Sequence, residues 1–183
     1  MEDIKDRLGE YKYIFFKKLQ SYLDTELYFY GSIKRIDYIN NSSDIDILVI
    51  TDNVKSMLAK VQLYLNVNNY NTHKIFQQHN IYDKQVIKGY KIKYINREND
   101  IEFDLLIYDE KYRNAVLQNV HDINNFPLYI LVPLYILKIL YYKLHFISKK
   151  IYINIKCTLF DSYFNGIRYY NKEKAQVIMI DIF

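Results

Sequence analysis

Three short stretches of the chain carry residues whose types and spacing suit phosphoryl chemistry. In SDIDILVI, Asp44 and Asp46 stand two apart on what reads as a strand, so both side chains point to one face. Two ionised carboxylates side by side repel each other unless a proton or a cation compensates. At the mouth of an otherwise apolar strand, Mg²⁺ is a natural compensator, because it prefers oxygen and keeps positions open for phosphate oxygens. In IEFDLLIY, Glu102 and Asp104 alternate with Ile101, Phe103 and Leu105, so the acids share one face of a second strand. Beside the first strand, that face brings a third carboxylate to the pair, from either Glu102 or Asp104. Three converging acids can hold two ions, one activating an acceptor hydroxyl and one binding a triphosphate and its leaving pyrophosphate.

Upstream, YFYGSIKR places Gly31 and Ser32 directly after a predicted strand. Glycine permits a tight turn and close backbone approach to a ligand. A helical turn beginning at Ser32 would offer its hydroxyl and free N–H groups to an anion, and Arg35 would add a guanidinium. Each feature also has a plain reading: a solvated strand end, a common turn dipeptide, a surface arginine.

The elements that must position these residues follow from hydrophobic periodicity. Residues 3–24 predict a helix, with Ile4, Leu8, Tyr11, Ile14, Phe15 and Leu19 as its apolar stripe. TELYFYGS predicts a short strand and turn. Residues 43–51 predict a central strand, since their second half is continuously apolar. DNVKSMLAKVQLYLN predicts an amphipathic helix capped by Asp52 or Asn53. Residues 68–84 carry no clear pattern, and QVIKGYKIKYI, NREND and DIEFDLLIY predict a hairpin. Helices are expected from DEKYRNAVLQNV, from 128–148 with Pro133 bending or starting it, and from 157–171. The fold class is therefore α+β: a small mixed sheet with helices on one face, then a helical tail. The expected division is a catalytic domain over 1–115 and a helical region over 116–183.

Gly-Ser, a variable loop, Ser-Asp-x-Asp and a later hydrophobic-Asp-hydrophobic strand together resemble the signature of the DNA polymerase β nucleotidyltransferase superfamily. The resemblance covers residues 26–51 and 101–108. It implies a palm-like sheet flanked by helices and two Mg²⁺ ions, with Mn²⁺ as an alternative, held by Asp44, Asp46 and Asp104. Asp104 is preferred to Glu102 because it lies between Phe103 and Leu105. It further implies that Gly31 and Ser32 receive the phosphates of a nucleoside triphosphate such as ATP, that Arg35 joins them, and that Lys138 reaches the triphosphate from the following helix. Ile36 stands where many members have glycine.

The activity so implied is transfer of a nucleoside monophosphate to an acceptor hydroxyl. The acceptor is a protein, RNA or small molecule, as in the stand-alone minimal enzymes, or a nucleic-acid 3′ end, as in a reduced family X-like polymerase or terminal transferase. No helix-hairpin-helix motif of the GxGxxG type supports the latter. A non-catalytic binding module is the third reading, against which stand all three acids.

The remaining features set bounds. A net charge of +4 suits an anionic substrate but falls short of a dedicated nucleic-acid binder, although Lys143, Lys149 and Lys150 form a basic rim. The single cysteine, Cys157, excludes an internal disulfide and is expected to be a small buried hydrophobe. His73, His79, His121 and His145 lack metal-ligand spacing. The N-terminal MEDIKDRLGE has no signal-peptide core, and FPLYILVPLYIL is too short for a bilayer, which takes about 20 apolar residues. A soluble cytoplasmic protein with no membrane partner is expected. The 21 Tyr and abundant Ile, Asn and Lys have AT-rich codons, as expected of a large DNA virus or an AT-rich microbe.

Overall fold

The structure, a computed structural model, describes residues 2–40, 42–67, 73–79, 86–169 and 178–179, with backbone alone at 2, 73–79, 165–169 and 178–179. The side chains of His73 and His79, and residues 170–171 of the last expected helix, lie outside the described residues.

The chain opens with a 3-10 turn at Glu2–Ile4 and the helix α1, Lys5–Leu23. Strand β1 is Tyr28–Tyr30, and a 3-10 turn at Gly31–Lys34 follows it directly. Strand β2 is Ile45–Thr51, and helix α2 is Val54–Tyr64. The cap of α2 is Asn53, whose side chain accepts a hydrogen bond from the Ser56 N–H at 3.0 Å. Strands β3 (His73–His79), β4 (Val86–Asn96) and β5 (Ile101–Asp109) come next. Helices α3 (Arg113–Asn124), α4 (Leu128–Lys138) and α5 (Lys149–Tyr169) follow, and β6 is Ile178–Met179.

The described strands form one mixed sheet in the order β1-β2-β5-β4-β3-β6. Only β2 and β5 pair in parallel; the others pair antiparallel. The continuous apolar run of β2 is explained by burial on both faces. On one face, Ile47 and Val49 join Phe103, Leu105 and Ile107 beneath Phe16, Leu19 and Leu23 of α1 and Val61 of α2. Phe16 meets Phe29 and Phe103 edge-on, with centroids 5.2 and 5.3 Å away. On the other face, Leu48, Ile50 and Tyr108 pack with Tyr112 and with Val116 of α3. Helices therefore cover both faces, not one. Helix α3 spans the expected domain boundary and packs on this sheet.

Other expectations also need correction. The buried stripe of α1 is Ile4, Leu8, Tyr13, Phe16, Leu19 and Leu23, while Tyr11 and Ile14 are exposed. The cause is Gly9, which has non-helical angles of φ 73° and ψ 162° and so shifts the helical phase of everything after it. The expected helix over 128–148 stops at Lys138, continues as a single π turn at Ile139–Lys143, and ends where His145 takes φ 52°. Pro133 lies inside α4, and Pro127 caps it. Helix α5 consequently starts eight residues earlier than expected, at Lys149, with the Ser148 hydroxyl accepting from the Ile151 N–H. Its inner edge, Leu159, Phe160, Tyr163 and Phe164, packs on Phe126, Ile130, Leu131 and Leu134. Cys157 falls off that edge and is exposed, contrary to the burial expected of it. Among the described residues no single helix is long and apolar enough to cross a membrane.

Candidate active site

Asp46 of β2 and Asp104 of β5 are direct partners in the parallel pairing, so they project side by side from the same face. Adjacent strands lie about 4.8 Å apart, within the reach of one shared cation. Tyr30 pairs with Asp46 on one flank, and Lys93 pairs with Asp104 on the other. The row across the sheet is thus Tyr30, Asp46, Asp104, Lys93. Asp44 precedes β2 and is exposed; Glu102 is also exposed and is bound at 2.8 Å by Lys93. Lys91 holds Asp104 Oδ2 at 2.7 Å.

Burial is the main cause of a raised Asp46 pKa, and the charges of Asp104 and then Asp44 push it the same way, to about 6. The positive charges of Lys156 and Lys91 only partly oppose this. Asp104 Oδ1 is buried and has no hydrogen-bond partner. The Tyr30 hydroxyl is held well above its usual pKa by burial and by the nearby Asp46.

The turn after β1 is fitted against these acids. Gly31 has φ +74°, and a Cβ there would lie 2.8 Å from Asp46 Oδ2. Its N–H donates to Asn124 Oδ1 at 2.9 Å, which joins the turn to the end of α3. Ser32 is buried in the same turn. From α1, Arg7 donates to the carbonyls of Ile33 and Arg35, both at 2.7 Å.

Arg35 and Lys138 come together through Asp37. Arg35 donates to Asp37 through Nε at 2.8 Å and through a terminal nitrogen at 3.1 Å, and to the Ile123 carbonyl at 2.9 Å. Its guanidinium lies 4.8 Å from the Phe126 ring centre. Lys138 Nζ donates to the Asp37 carbonyl at 2.9 Å and to Ser43 Oγ at 3.3 Å, and lies 3.0 Å from Asp37 Oδ2. Burial opposes ionisation of Asp37, yet its bonds to Arg35 and the charge of Lys138 bring its pKa below the ordinary value. Burial is the main cause of a lowered Lys138 pKa; Asp37 opposes it, and the charges of Arg35 and Lys156 push the same way as burial.

A cavity of about 180 Å³ opens above this arrangement. Gly31, Ser32, Arg35, Asp44, Asp46 and Lys138 line it; Tyr142, Tyr152, Lys156 and Phe160 form the opposite wall. Asp104 is joined to the cavity only through its strand partner Asp46. Lys143, Lys149 and Lys150 are exposed and do not line it.

A family model described as a nucleotidyltransferase domain matches residues 13–158, most of the chain. The chain belongs to this family. The nucleotidyltransferase domain takes in all the elements from within α1 to within α5, so the Gly-Ser turn, the carboxylates and the named cavity residues other than Phe160 fall inside the match. No curated protein and no solved structure is significantly similar to the chain.

A metal fits this site by the chemistry of its donors. Asp46 and Asp104 are hard oxygen ligands held in mutual repulsion, and Asp104 presents a buried oxygen with nothing to bond. Among the described residues, however, no three His, Cys, Asp or Glu side chains are gathered into a ready cluster. Asp37, Ser43, Asn124 and Lys156 were not singled out from sequence. They approach from a loop, a strand entry and two helix faces, where no local period marks them.

Proposed function

We propose that this nucleotidyltransferase domain moves a nucleoside monophosphate from a triphosphate to an acceptor hydroxyl at the Asp46–Asp104 pair, with release of pyrophosphate. The observation carrying the reading is the in-register placement of these two acids on the only parallel strand pair described, directly under the Gly31 turn. Asp46 and Asp104 would hold Mg²⁺, with Asp44 completing the set at the strand entry. Bound there, the metal supplies charge neutralisation to the triphosphate and acidity to the acceptor hydroxyl.

The chain's own groups bind and orient. Gly31 lets the turn close directly on Asp46, and Ser32 offers its hydroxyl from the same turn. The rings of Tyr142, Tyr152 and Phe160 form an apolar wall against which a base can rest and exclude water.

Incubation with MgCl₂, each of the four labelled ribonucleoside triphosphates, and candidate protein, RNA and small-molecule acceptors is expected to transfer label. Asp46→Ala and Asp104→Ala are each expected to abolish it. Transfer that survives both substitutions overturns the assignment. Extension of short DNA and RNA primers separates a polymerase from a modifying enzyme.

A further inference from the structure

We propose that Lys156 of α5 is the cation that receives the triphosphate, and that Arg35 and Lys138 serve instead as a structural tie closed by Asp37. This rests on the nucleotidyltransferase reading of the cavity and names the group that binds its phosphates.

Three cations line the cavity among the described residues: Arg35, Lys138 and Lys156. The first two are tied to Asp37. A lysine ammonium has three N–H donors. Those of Lys138 face three acceptors, the Asp37 carbonyl, Asp37 Oδ2 and Ser43 Oγ, and the residue is only 5% exposed. Arg35, 6% exposed, spends three of its five N–H donors on the Asp37 carboxylate and the Ile123 carbonyl, and its charge is balanced by Asp37. A phosphate drawing either cation out of this tie would leave a buried carboxylate short of its partners.

Lys156 differs on each count. It is half-buried on the opposite wall, and among the described residues it has no hydrogen-bond or ion-pair partner. Its ammonium rests only against rings, 6.0 Å from that of Tyr152 and 5.7 Å from that of Phe160. Those rings hold the stem toward the cavity while leaving all three N–H donors unspent. It lines the same cavity as Asp46, and its charge is felt there. A triphosphate between them would meet Lys156 on one side and the Gly31–Ser32 turn on the other.

Binding of ATP and of inorganic tripolyphosphate, measured calorimetrically in MgCl₂, tests this on the full chain. Lys156→Gln is expected to weaken both ligands about tenfold or more and by similar factors, the cost of one charge-assisted contact to phosphate. Lys156→Arg should recover most of the loss, and the melting temperature should not change. A structural role would lower the melting temperature and would not be rescued in this way. Tripolyphosphate binding by Lys156→Gln at wild-type strength overturns the Lys156 assignment, while label transfer lost in Asp46→Ala still upholds the wider reading. A wild-type protein that binds no triphosphate and transfers no label overturns both.

Discussion

Gly31 is constrained twice, once by its backbone and once by its neighbour. The left-handed φ disfavours any side chain, and the missing Cβ leaves the space that Asp46 Oδ2 occupies. Gly31→Ala is therefore expected to cost about 1–3 kcal/mol in denaturant unfolding, and to reduce label transfer by moving Asp46. An alanine variant as stable as wild type would show that the turn relaxes freely. Asp46 carries the main pH dependence. Its pKa rises on folding from an ordinary 3.8 to about 6, so its contribution to stability is greatest at low pH and is lost as pH rises through about 6. Asp46→Asn should then melt higher than metal-free wild type near pH 8, and the gap should close toward pH 4; a gap that does not depend on pH contradicts this. At this scale the sequence was readable where strand alternation forces neighbours onto one face, as for Asp46 and Asp104. It was silent on Asp37, because an acid two residues past an arginine in a loop looks like any solvated charge.

Elements meet at the site through that same acid. The loop after β1 and the C-terminal end of α4 are joined by a buried carboxylate between two cations. Breaking a buried pair by removing one partner is costly, since the other charge stays buried. Asp37→Asn is expected to destabilise by about 3–5 kcal/mol, and the double variant Asp37→Asn/Lys138→Met by less than the sum of the two single changes. A double-mutant cycle in urea measures this, and simple additivity would mean that the two do not interact. Element order and type were largely legible, because the strands are short, alternating or uniformly apolar and the turns are polar. Phase and length were less so. One glycine in α1 took Tyr11 and Ile14 out of the buried stripe, and a left-handed His145 cut one expected helix and lengthened the next. Both are decisions of single backbone angles, which hydrophobic periodicity does not report.

At the scale of the molecule, the cavity is lined by groups from the β1–β2 region and by groups from α4, α5 and the turn between them. Because Asp46 and Asp104 repel in the folded state, a divalent ion that binds there stabilises the fold by mass action. Addition of MgCl₂ should raise the melting temperature more near pH 8 than near pH 5, where protons compete for the same oxygens. An equal rise at both pH values, or the same rise in Asp46→Asn, would place the ion elsewhere. The parallel pairing of β2 with β5 has one more consequence, in time. Its two halves are separated in the chain by α2, β3 and β4, so the strands cannot zip from a hairpin and must close a long loop before any contact rewards it. The acid pair is thus absent from a nascent chain until β5 has left the ribosome, and a metal cannot nucleate folding from the N-terminal half alone. The site is assembled only after that long loop has closed.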